Sequence, residues 1–217
     1  MVRELIIGIR STLVLWVLTA ILYPLLILLI GQVAFSYQAN GSLIKNDQGQ
    51  VVGSALIGQP FSSDKYFQSR PSTTSYSTGD PNKKEDKEGV LKTGTSGASN
   101  LAPSNTAQLL KDNRKPDAPD LIKRIRGDAD KLKQVGIQPT ADLVYTSGSS
   151  LDPHISVEAA IAQIQRLARV RAIDPNQLEL LINQNTDSRF LGIFGEPGVN
   201  VLKLNLALDK LKPVTAK

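Results

Sequence analysis

The sequence contains no cysteine and only one histidine among its 217 residues. Without cysteine the chain cannot form a disulfide or a thiolate zinc site, and a single histidine leaves only carboxylates as further zinc ligands. A cysteine-free chain suits a bacterial extracytoplasmic domain that has no structural disulfides. We therefore predict neither a disulfide framework nor a metal centre.

Aromatic side chains are also scarce, at 5% of the chain, although the formal net charge is +5. The cationic excess is spread over many segments, and no basic stripe alternates with stacking residues, as a nucleic-acid interface would require. A solvated surface of mixed sign explains the charge better. We predict no nucleic-acid partner.

Charged side chains are missing altogether between Arg10 and Lys45. Within residues 11–30, thirteen are Leu, Ile or Val. About 20 apolar residues match the hydrocarbon core of a bilayer, and thirteen such side chains contribute on the order of −4 to −8 kcal/mol to insertion. The pattern predicts a transmembrane helix over residues 11–35. The alternative is a cleaved signal peptide, whose apolar core is usually only about 7 to 15 residues long.

The cations that flank this helix predict its orientation. Arg3 and Arg10 precede it, whereas the first cation after it is Lys45. The positive-inside rule then makes residues 1–10 cytoplasmic and residues 36–217 extracytoplasmic. We expect a single-pass protein of the bacterial inner membrane.

The soluble part begins with strand-like segments. Residues 43–57 read as two strands around an Asn-Asp-Gln-Gly turn, because these residue types accept the backbone angles of tight turns. The aromatic residues Phe61, Tyr66 and Phe67 are expected to pack under these strands. Residues 72–106, rich in Ser, Thr, Gly, Asn and Pro, predict a long loop that is functional or mobile.

Helices follow in the second half. Apolar side chains recur at helical spacing over residues 120–136, 156–173 and 174–183. Ser156 and Asp174 are suited to cap the second and third of these helices. Ile161 and Ile164 are expected on the apolar stripe of the second.

The segments between and after these helices are shorter. Residues 143–145, Leu-Val-Tyr, predict a short buried strand. Residues 189–205 predict another short strand, a Gly-Glu-Pro-Gly turn and a return segment, and residues 204–211 predict a final helix. Together these elements predict an α+β fold: a single N-terminal transmembrane helix followed by one extracytoplasmic α+β domain.

The segment TSGSSLDPHIS, residues 146–156, carries the residue types of a serine hydrolase in Ser147, Asp152 and His154. However, Asp-Pro-His places the acid and the base on one tight turn, where we expect their side chains to diverge, and the Gly-x-Ser-x-Gly pattern is missing. The segment better fits the start of a helix at Ser156. A binding surface is the remaining interpretation, because a loop of Ser, Thr and Gly exposes many backbone donors.

Four segments carry a resemblance to a known family. They are GSALIGQPFSSDKYFQSRPS at residues 53–72, SGASNLAPSN at 96–105, TSGSSLDPHIS with its Ala-rich helix, and FLGIFGEPGVNVLKLNLALD at 190–209. In this order, and after a single N-terminal span, they resemble the C subunit of the bacterial potassium-transporting Kdp ATPase. The chain departs from the family at Ala98, Ala102 and Ser150, where glycine is expected, and at Val157, where proline often stands.

The resemblance implies an accessory subunit of an ATP-driven, high-affinity potassium uptake pump. Its expected partners are a channel-like potassium-binding subunit, a P-type ATPase subunit, a small single-span subunit and the lipid bilayer. ATP and potassium are then handled by the complex, and this chain is expected to bind no cofactor and to contribute no catalytic residue. Leu91 stands where the phosphorylated aspartate of a P-type ATPase would be.

Members of that family are described as assembly factors and as catalytic chaperones that raise the ATP affinity of the ATPase subunit. An extracytoplasmic domain cannot contact cytoplasmic ATP, so such an effect would have to be transmitted through the complex. The rival role is a cap over the outer mouth of the channel-like subunit. Two further roles stay open at this point: a stand-alone binding module and an enzyme of the cell envelope.

For the cap, the loops at residues 94–105 and 146–154 form the predicted contact surface. Its candidate residues are Ser96, Asn100, Ser104, Asn105, Thr146, Ser147, Ser149, Asp152 and His154. Within the transmembrane helix, small residues permit close approach of a neighbouring helix, against the alternative of plain anchoring. They are Gly8, Ser11, Thr19 and Gly31.

Overall fold

The N-terminal helix and the mixed domain that follows it confirm the α+β prediction. The computed structural model describes residues 1–78, 94–101 and 121–211. A two-stranded hairpin follows the N-terminal helix, and a three-stranded sheet lies among the helices of the C-terminal half.

The N-terminal helix is continuous over Val2–Ala34, and it is long and apolar enough to cross a membrane. It consists of α1 (Val2–Val17), a π-helical turn (Leu18–Leu22) and α2 (Tyr23–Ala34). At about 1.5 Å per residue it is roughly 50 Å long, compared with about 30 Å for the hydrocarbon core. The helix therefore begins well before the predicted start of the span at residue 11.

The π-helical turn ends at Leu22, two residues before Pro24. A proline ring presses on the preceding turn of a regular helix and supplies no N–H. In the wider turn the N–H of Tyr23 donates to the carbonyl of Leu18, which leaves room for the ring. The hydroxyls of Ser11 and Thr19 donate to carbonyls one turn earlier, at 2.9 and 2.8 Å. The helix thus satisfies these polar groups internally, as a bilayer requires.

The predicted hairpin is confirmed. After a short helix it pairs two antiparallel strands; these elements are α3 (Ser36–Ala39), β1 (Leu43–Lys45) and β2 (Val51–Ser54). The side chain of Asn46 holds the turn, because its oxygen accepts hydrogen bonds from the N–H groups of Gln48 and Gln50 at 3.0 and 2.9 Å.

The C-terminal half supplies the core. Its helices are α4 (Leu121–Gln134), α5 (Ala141–Val144), α6 (Val157–Ile161), α7 (Ile164–Arg171), α8 (Pro175–Gln184) and α9 (Val201–Asp209). Its strands are β3 (His154–Ile155), β4 (Thr186–Asp187) and β5 (Gly198–Asn200), in the antiparallel order β3–β5–β4. The buried core includes Leu132, Ile137, Leu143, Ile155, Ala159, Leu167, Leu178, Ile182, Val199, Leu204 and Leu208.

The predicted helix caps are confirmed. The Ser156 hydroxyl accepts from the N–H of Ala159 at 3.2 Å, and the Asp174 carboxylate accepts from the N–H of Asn176 at 2.7 Å. The helix predicted over residues 156–173 is divided into α6 and α7. Ile161 ends α6 with 45% of its surface exposed, so its predicted place on the buried stripe is wrong.

Phe67 is fully buried, as predicted, but its partner is α9 rather than the first strands. Its N–H donates to the Asn205 side-chain oxygen at 2.8 Å, and its carbonyl accepts from the Asn205 amide at 3.0 Å. Phe61 and Tyr66 pack against the same core. The aromatic segment thus links the N-terminal part of the domain to its last helix.

Two predicted strands are wrong. Residues 143–145, predicted as a strand, belong mostly to α5, a single helical turn with Leu143 and Val144 buried. An apolar triplet has no periodicity that separates strand from helix. The strand predicted near residue 190 is a tight turn, in which Phe190 and Phe194 exchange backbone hydrogen bonds of 2.8 and 3.0 Å.

The return segment and the last helix are confirmed as β5 and α9. The helix begins earlier than predicted, at Val201, because the side-chain oxygen of Asn200 accepts from the N–H of Lys203 at 3.1 Å and caps it.

Candidate functional site

The two loops of the predicted contact surface meet in the structure. The carbonyl of Ser149 accepts a hydrogen bond from the Gly97 N–H at 3.0 Å and another from the Ser96 hydroxyl at 3.1 Å. Ser96, Ser149 and Asn100 have exposed side chains. Residues more than 50 positions apart therefore present a joint polar surface.

A third segment, residues 70–78, lies between these loops and was not predicted as part of the site. The Ser150 hydroxyl lies 2.7 Å from the Thr73 hydroxyl, and the Ser150 carbonyl accepts from the Ser72 hydroxyl at 2.8 Å. The Thr73 hydroxyl also lies 2.8 Å from the Gly97 carbonyl, to which it donates. We call residues 70–78, 94–101 and 146–154 together the polar layer.

The layer contains a left-handed turn, Ser75–Ser77, in which all three residues have φ between 50° and 57°. The turn places the Tyr76 ring under the layer, where its hydroxyl donates to the Arg70 carbonyl at 2.5 Å. Burial raises the pKa of Tyr76 to about 12. The Tyr76 ring fits under the layer because residue 58 is a glycine. A Cβ at Gly58 would lie 2.5 Å from the ring and 2.7 Å from the Asp152 carbonyl.

Arg70 joins the layer to the start of the helices. Its guanidinium lies 3.4 Å from a carboxylate oxygen of Asp142 and 3.3 Å from one of Asp152. Asp142 in turn accepts from the N–H of Ser156 at 2.7 Å. The Nε of Arg70 is buried and has no hydrogen-bond partner within the described ranges.

His154 lies between two carboxylates. Its Nε2 is 3.2 Å from Asp187, and its Nδ1 is 3.5 Å from Asp152, whose carboxylate also accepts from the His154 N–H at 3.0 Å. The expected divergence of the Asp152 and His154 side chains is therefore wrong, because the backbone bond folds the carboxylate back toward the ring. Ser147 is buried, and no hydrogen bond among the described residues joins it to His154.

These contacts shift the pKa values of His154 and Asp152. The hydrogen bond to Asp152 raises the pKa of His154 and the one to Asp187 adds to this, although burial opposes them. The same bond to His154 lowers the pKa of Asp152, with a further contribution from Arg70. Both shifts favour the ionised forms of His154 and Asp152.

The remaining candidate residues differ in exposure. Thr146, Asp152 and His154 are half-buried, whereas Ser147 is buried. Ser104 and Asn105 lie outside the described residues. Because Asp152 and His154 bond to each other, the exposed residues are better placed to contact another molecule.

The chemistry of the polar layer is that of hydrogen-bonding groups. It combines hydroxyls, backbone groups and balanced charges, but Ser147 lacks the contact with His154 that would activate it as a nucleophile. In the part of the chain that the structure describes, no group of three or more His, Asp or Glu side chains is placed to hold a metal ion.

An apolar turn at residues 190–194, Phe-Leu-Gly-Ile-Phe, was not predicted. It exposes between 62% and 75% of each of its four large side chains. Its signal in the sequence is a run of apolar residues outside any periodic helix, and such a run is more typical of a strand.

Taken together, the fold and the site define a membrane-associated α+β protein with one N-terminal apolar helix and a polar surface layer. The family model for the c chain of K+-transporting ATPases matches residues 5–210. The chain belongs to this family.

Individual relatives agree. The chain is 66% identical over 204 residues to the "Potassium-transporting ATPase KdpC subunit" of Microcystis aeruginosa, covering 94% of each chain. It is 63% identical over 212 residues to "KdpC subunit 1" of a Nostoc species, covering 97% of this chain and 98% of the relative. A KdpC subunit of Rhodopseudomonas palustris is 44% identical over 216 residues, covering 98% of this chain and all of the relative. The resemblance found in the sequence is thereby confirmed, and the family supports an accessory role in potassium uptake.

Proposed function

We propose that the chain assembles and stabilises an ATP-driven potassium pump by resting its polar layer on the outer face of the channel-like subunit. The observation that supports this is the junction of Ser96 and Gly97 with Ser149, which gives two separate loops one common surface. The P-type ATPase subunit and the small single-span subunit complete the complex. ATP and potassium are handled by the complex.

The absence of cysteine permits a clean test of this contact. A single cysteine at Ser149, joined to a short cross-linker, should form an adduct with the outer face of the channel-like subunit in the assembled complex. The matched control is Glu179→Cys on α8, which is also exposed and should give no such adduct. Assembled complex that gives no adduct at Ser149 would contradict the proposal.

The proposed orientation rests on Arg3 and Arg10 before the helix and on Lys45 as the first cation after it. A tag at the C-terminus should react with a membrane-impermeant label in intact cells. A tag that becomes reactive only after the cells are broken would place the domain in the cytoplasm and overturn this part of the proposal.

We also propose that any increase in the ATP affinity of the ATPase subunit is transmitted through the complex. An extracytoplasmic polar layer has no access to cytoplasmic ATP. Variants at Ser149 that weaken assembly should raise the ATP concentration needed for half-maximal hydrolysis. Direct labelling of this chain by a photoreactive ATP analogue in the purified complex would contradict this route.

The transmembrane helix is proposed to pack one face on the channel-like subunit. Gly8 has open space where a Cβ would be, and Gly31 has only Ala39 nearby, at 3.7 Å. Both positions therefore permit close approach of another helix. Replacing the span by a generic leucine helix should lower the yield of the complex. An unchanged yield would support plain anchoring instead.

A further inference from the structure

The apolar turn, residues 190–194, projects between β4 and β5. Its two phenylalanines close it by backbone hydrogen bonds, and the N–H of Gly192 donates to the Arg189 carbonyl at 3.0 Å. At its base Arg189 and Glu196 form an ion pair of 2.9 Å. The exposed fractions of the large side chains are 71% for Phe190, 75% for Leu191, 72% for Ile193 and 62% for Phe194.

The turn is held in a shape that is unfavourable for its sequence. Leu191 has a φ of +53°, in the left-handed region that a leucine rarely adopts. This conformation persists although it places a large apolar side chain in water. Strain of this kind is a reason to look for a function at the position where it is observed.

An exposed apolar surface of this size is typical of an interaction site. Two phenylalanines and two aliphatic side chains offer roughly 500 Å² of contact area, at the upper end of what single-chain proteins expose in one patch. A stable dimer of two copies needs about 800 Å² from each partner, so the turn alone is too small for one. It is suited to act as an anchor within a larger interface.

The bilayer is a less suitable partner than a protein. A preformed turn binds a protein pocket of matching shape more tightly, because less ordering is needed on binding. Fluid lipid has no fixed shape, so the preformed turn does not bind lipid more tightly. Insertion into hydrocarbon would also expose irregular backbone, which lipid does not tolerate. The Arg189–Glu196 pair at the base is neutral overall and offers no excess positive charge to anionic headgroups.

We infer that the apolar turn inserts into a hydrophobic pocket on the channel-like subunit, with Leu191 and Ile193 as its anchors. This inference rests on the proposed function, because it assumes that the soluble domain contacts another subunit. It adds a second contact point to the polar layer, carried by hydrophobic burial rather than by hydrogen bonds.

The first experiment identifies what covers the turn. A photo-cross-linking phenylalanine analogue replaces Ile193 in the full chain, coexpressed with the other subunits in native membranes. Illumination should join this chain to the channel-like subunit. The matched control places the analogue at Leu180 on α8, which is 57% exposed and should give no such product. Products with lipid alone, or with a second copy of this chain, would overturn the inference.

The second experiment measures the contribution of the turn. The double variant Leu191→Ser with Ile193→Ser keeps both phenylalanines and Gly192, so the backbone bonds that close the turn are retained. We expect roughly tenfold or greater loss of the partner subunits that copurify with the chain, because a few buried residues carry most of the binding energy of an interface. Leu180→Ser should change copurification less than twofold. The isolated full chain of the double variant should unfold at the same temperature as the wild type or at a slightly higher one. Equal copurification of double variant and wild type would overturn the inference.

The two contacts can fail separately. An adduct from Ser149→Cys with no partner product from Ile193 contradicts the apolar anchor and leaves the proposed function intact. Failure at both positions in assembled complex contradicts the proposed function itself.

Discussion

His154 and Asp187 face each other across β5, with the ring Nε2 3.2 Å from the carboxylate oxygen. Gly198 lies between them in the sheet, and a Cβ there would lie 3.3 Å from the Cβ of His154, so a glycine leaves the ring its place. Asp152 contacts the other ring nitrogen, and Lys203 lies 3.9 Å from Asp187. One histidine thus connects the polar layer to the strand that leads into the apolar turn.

This arrangement predicts that stability falls as the pH rises above about 6.5, the ordinary pKa of histidine. The folded pKa of His154 is raised above its ordinary 6.5, chiefly by Asp152. The stabilisation that protonated His154 contributes to the folded state is therefore complete below about pH 6.5. It is lost as the pH rises through the raised pKa of the folded state. Because the ring is partly exposed, solvent screens the contacts, and we expect a loss below about 1 kcal/mol. Urea unfolding of the full chain between about pH 6 and 8 measures it.

His154→Gln is the control for this pH dependence, since glutamine does not titrate, and its unfolding curve should be flat over the same range. At acid pH, stability instead falls as the pH is lowered. The pKa of Asp152 is lowered from 3.8, so its contribution is present above that value and is lost as the pH falls through the lowered one. A wild-type curve as flat as that of the variant would contradict the role assigned to His154.

Ser150 gives a second prediction, because two opposing effects meet there. It occupies a position where the family resemblance predicts glycine, has a φ of +57°, and is 1% exposed with its hydroxyl on Thr73. Ser150→Gly removes about 1–2 kcal/mol of strain but loses hydrogen bonds worth a similar amount. We expect the free energy of unfolding to change by less than about 1 kcal/mol.

Ser150→Ala separates the two effects. Alanine keeps the strained φ and loses the hydroxyl, so the unfolding free energy should fall by about 1–2 kcal/mol. The measurement is urea unfolding of both variants beside the wild type. If the glycine variant is destabilised as much as the alanine variant, relief of backbone strain at residue 150 does not offset the loss of the Ser150 hydroxyl.

Local chemistry accounts for what could be predicted from the sequence. Ser156 and Asp174 begin helices because each side chain caps N–H groups two or three residues ahead. The hairpin follows from the turn residues around Asn46, and the transmembrane helix from the composition of the chain. Each of these features depends on neighbours along the sequence.

The features that could not be predicted depend on distant contacts. Ser150 bonds to Ser72 and Thr73 across almost 80 residues, so no local pattern marks residues 70–78 as part of the site. Phe67 pairs with Asn205 across an even longer separation. The prediction for the apolar turn failed for a different reason, since apolar residues in a short run normally indicate a buried strand.

Arg166 carries a stability prediction. It is only 3% exposed; its guanidinium donates to the carbonyl of Asp64, to that of Tyr66 at 2.8 Å and to the side chain of Gln163 at 3.0 Å. Arg166→Met removes all three hydrogen bonds of this buried guanidinium, although the Gln163 oxygen keeps its bond from the Gln68 N–H at 2.7 Å, so we expect a loss of about 2–4 kcal/mol in unfolding free energy.

Arg169→Met is the matched control for Arg166, because this arginine lies on the same helix with an exposed side chain. A surface substitution of this kind should change the unfolding free energy by less than about 0.5 kcal/mol. Urea unfolding of both variants tests the difference. Equal effects would mean that the carbonyl contacts of Arg166 contribute nothing measurable.

The last prediction concerns the support of the polar layer. Gly58→Ala would place a Cβ 2.5 Å from the Tyr76 ring and 2.7 Å from the Asp152 carbonyl, and the latter is backbone that cannot rotate away. We expect a loss of about 1–3 kcal/mol in unfolding free energy, together with a lower yield of Ser149 adducts in the complex. Gly127→Ala, in α4 with open space at its Cβ, should instead gain up to about 1 kcal/mol. If Gly58→Ala unfolds like the wild type and cross-links equally well, the contact of Tyr76 with Gly58 is not what holds the layer in place.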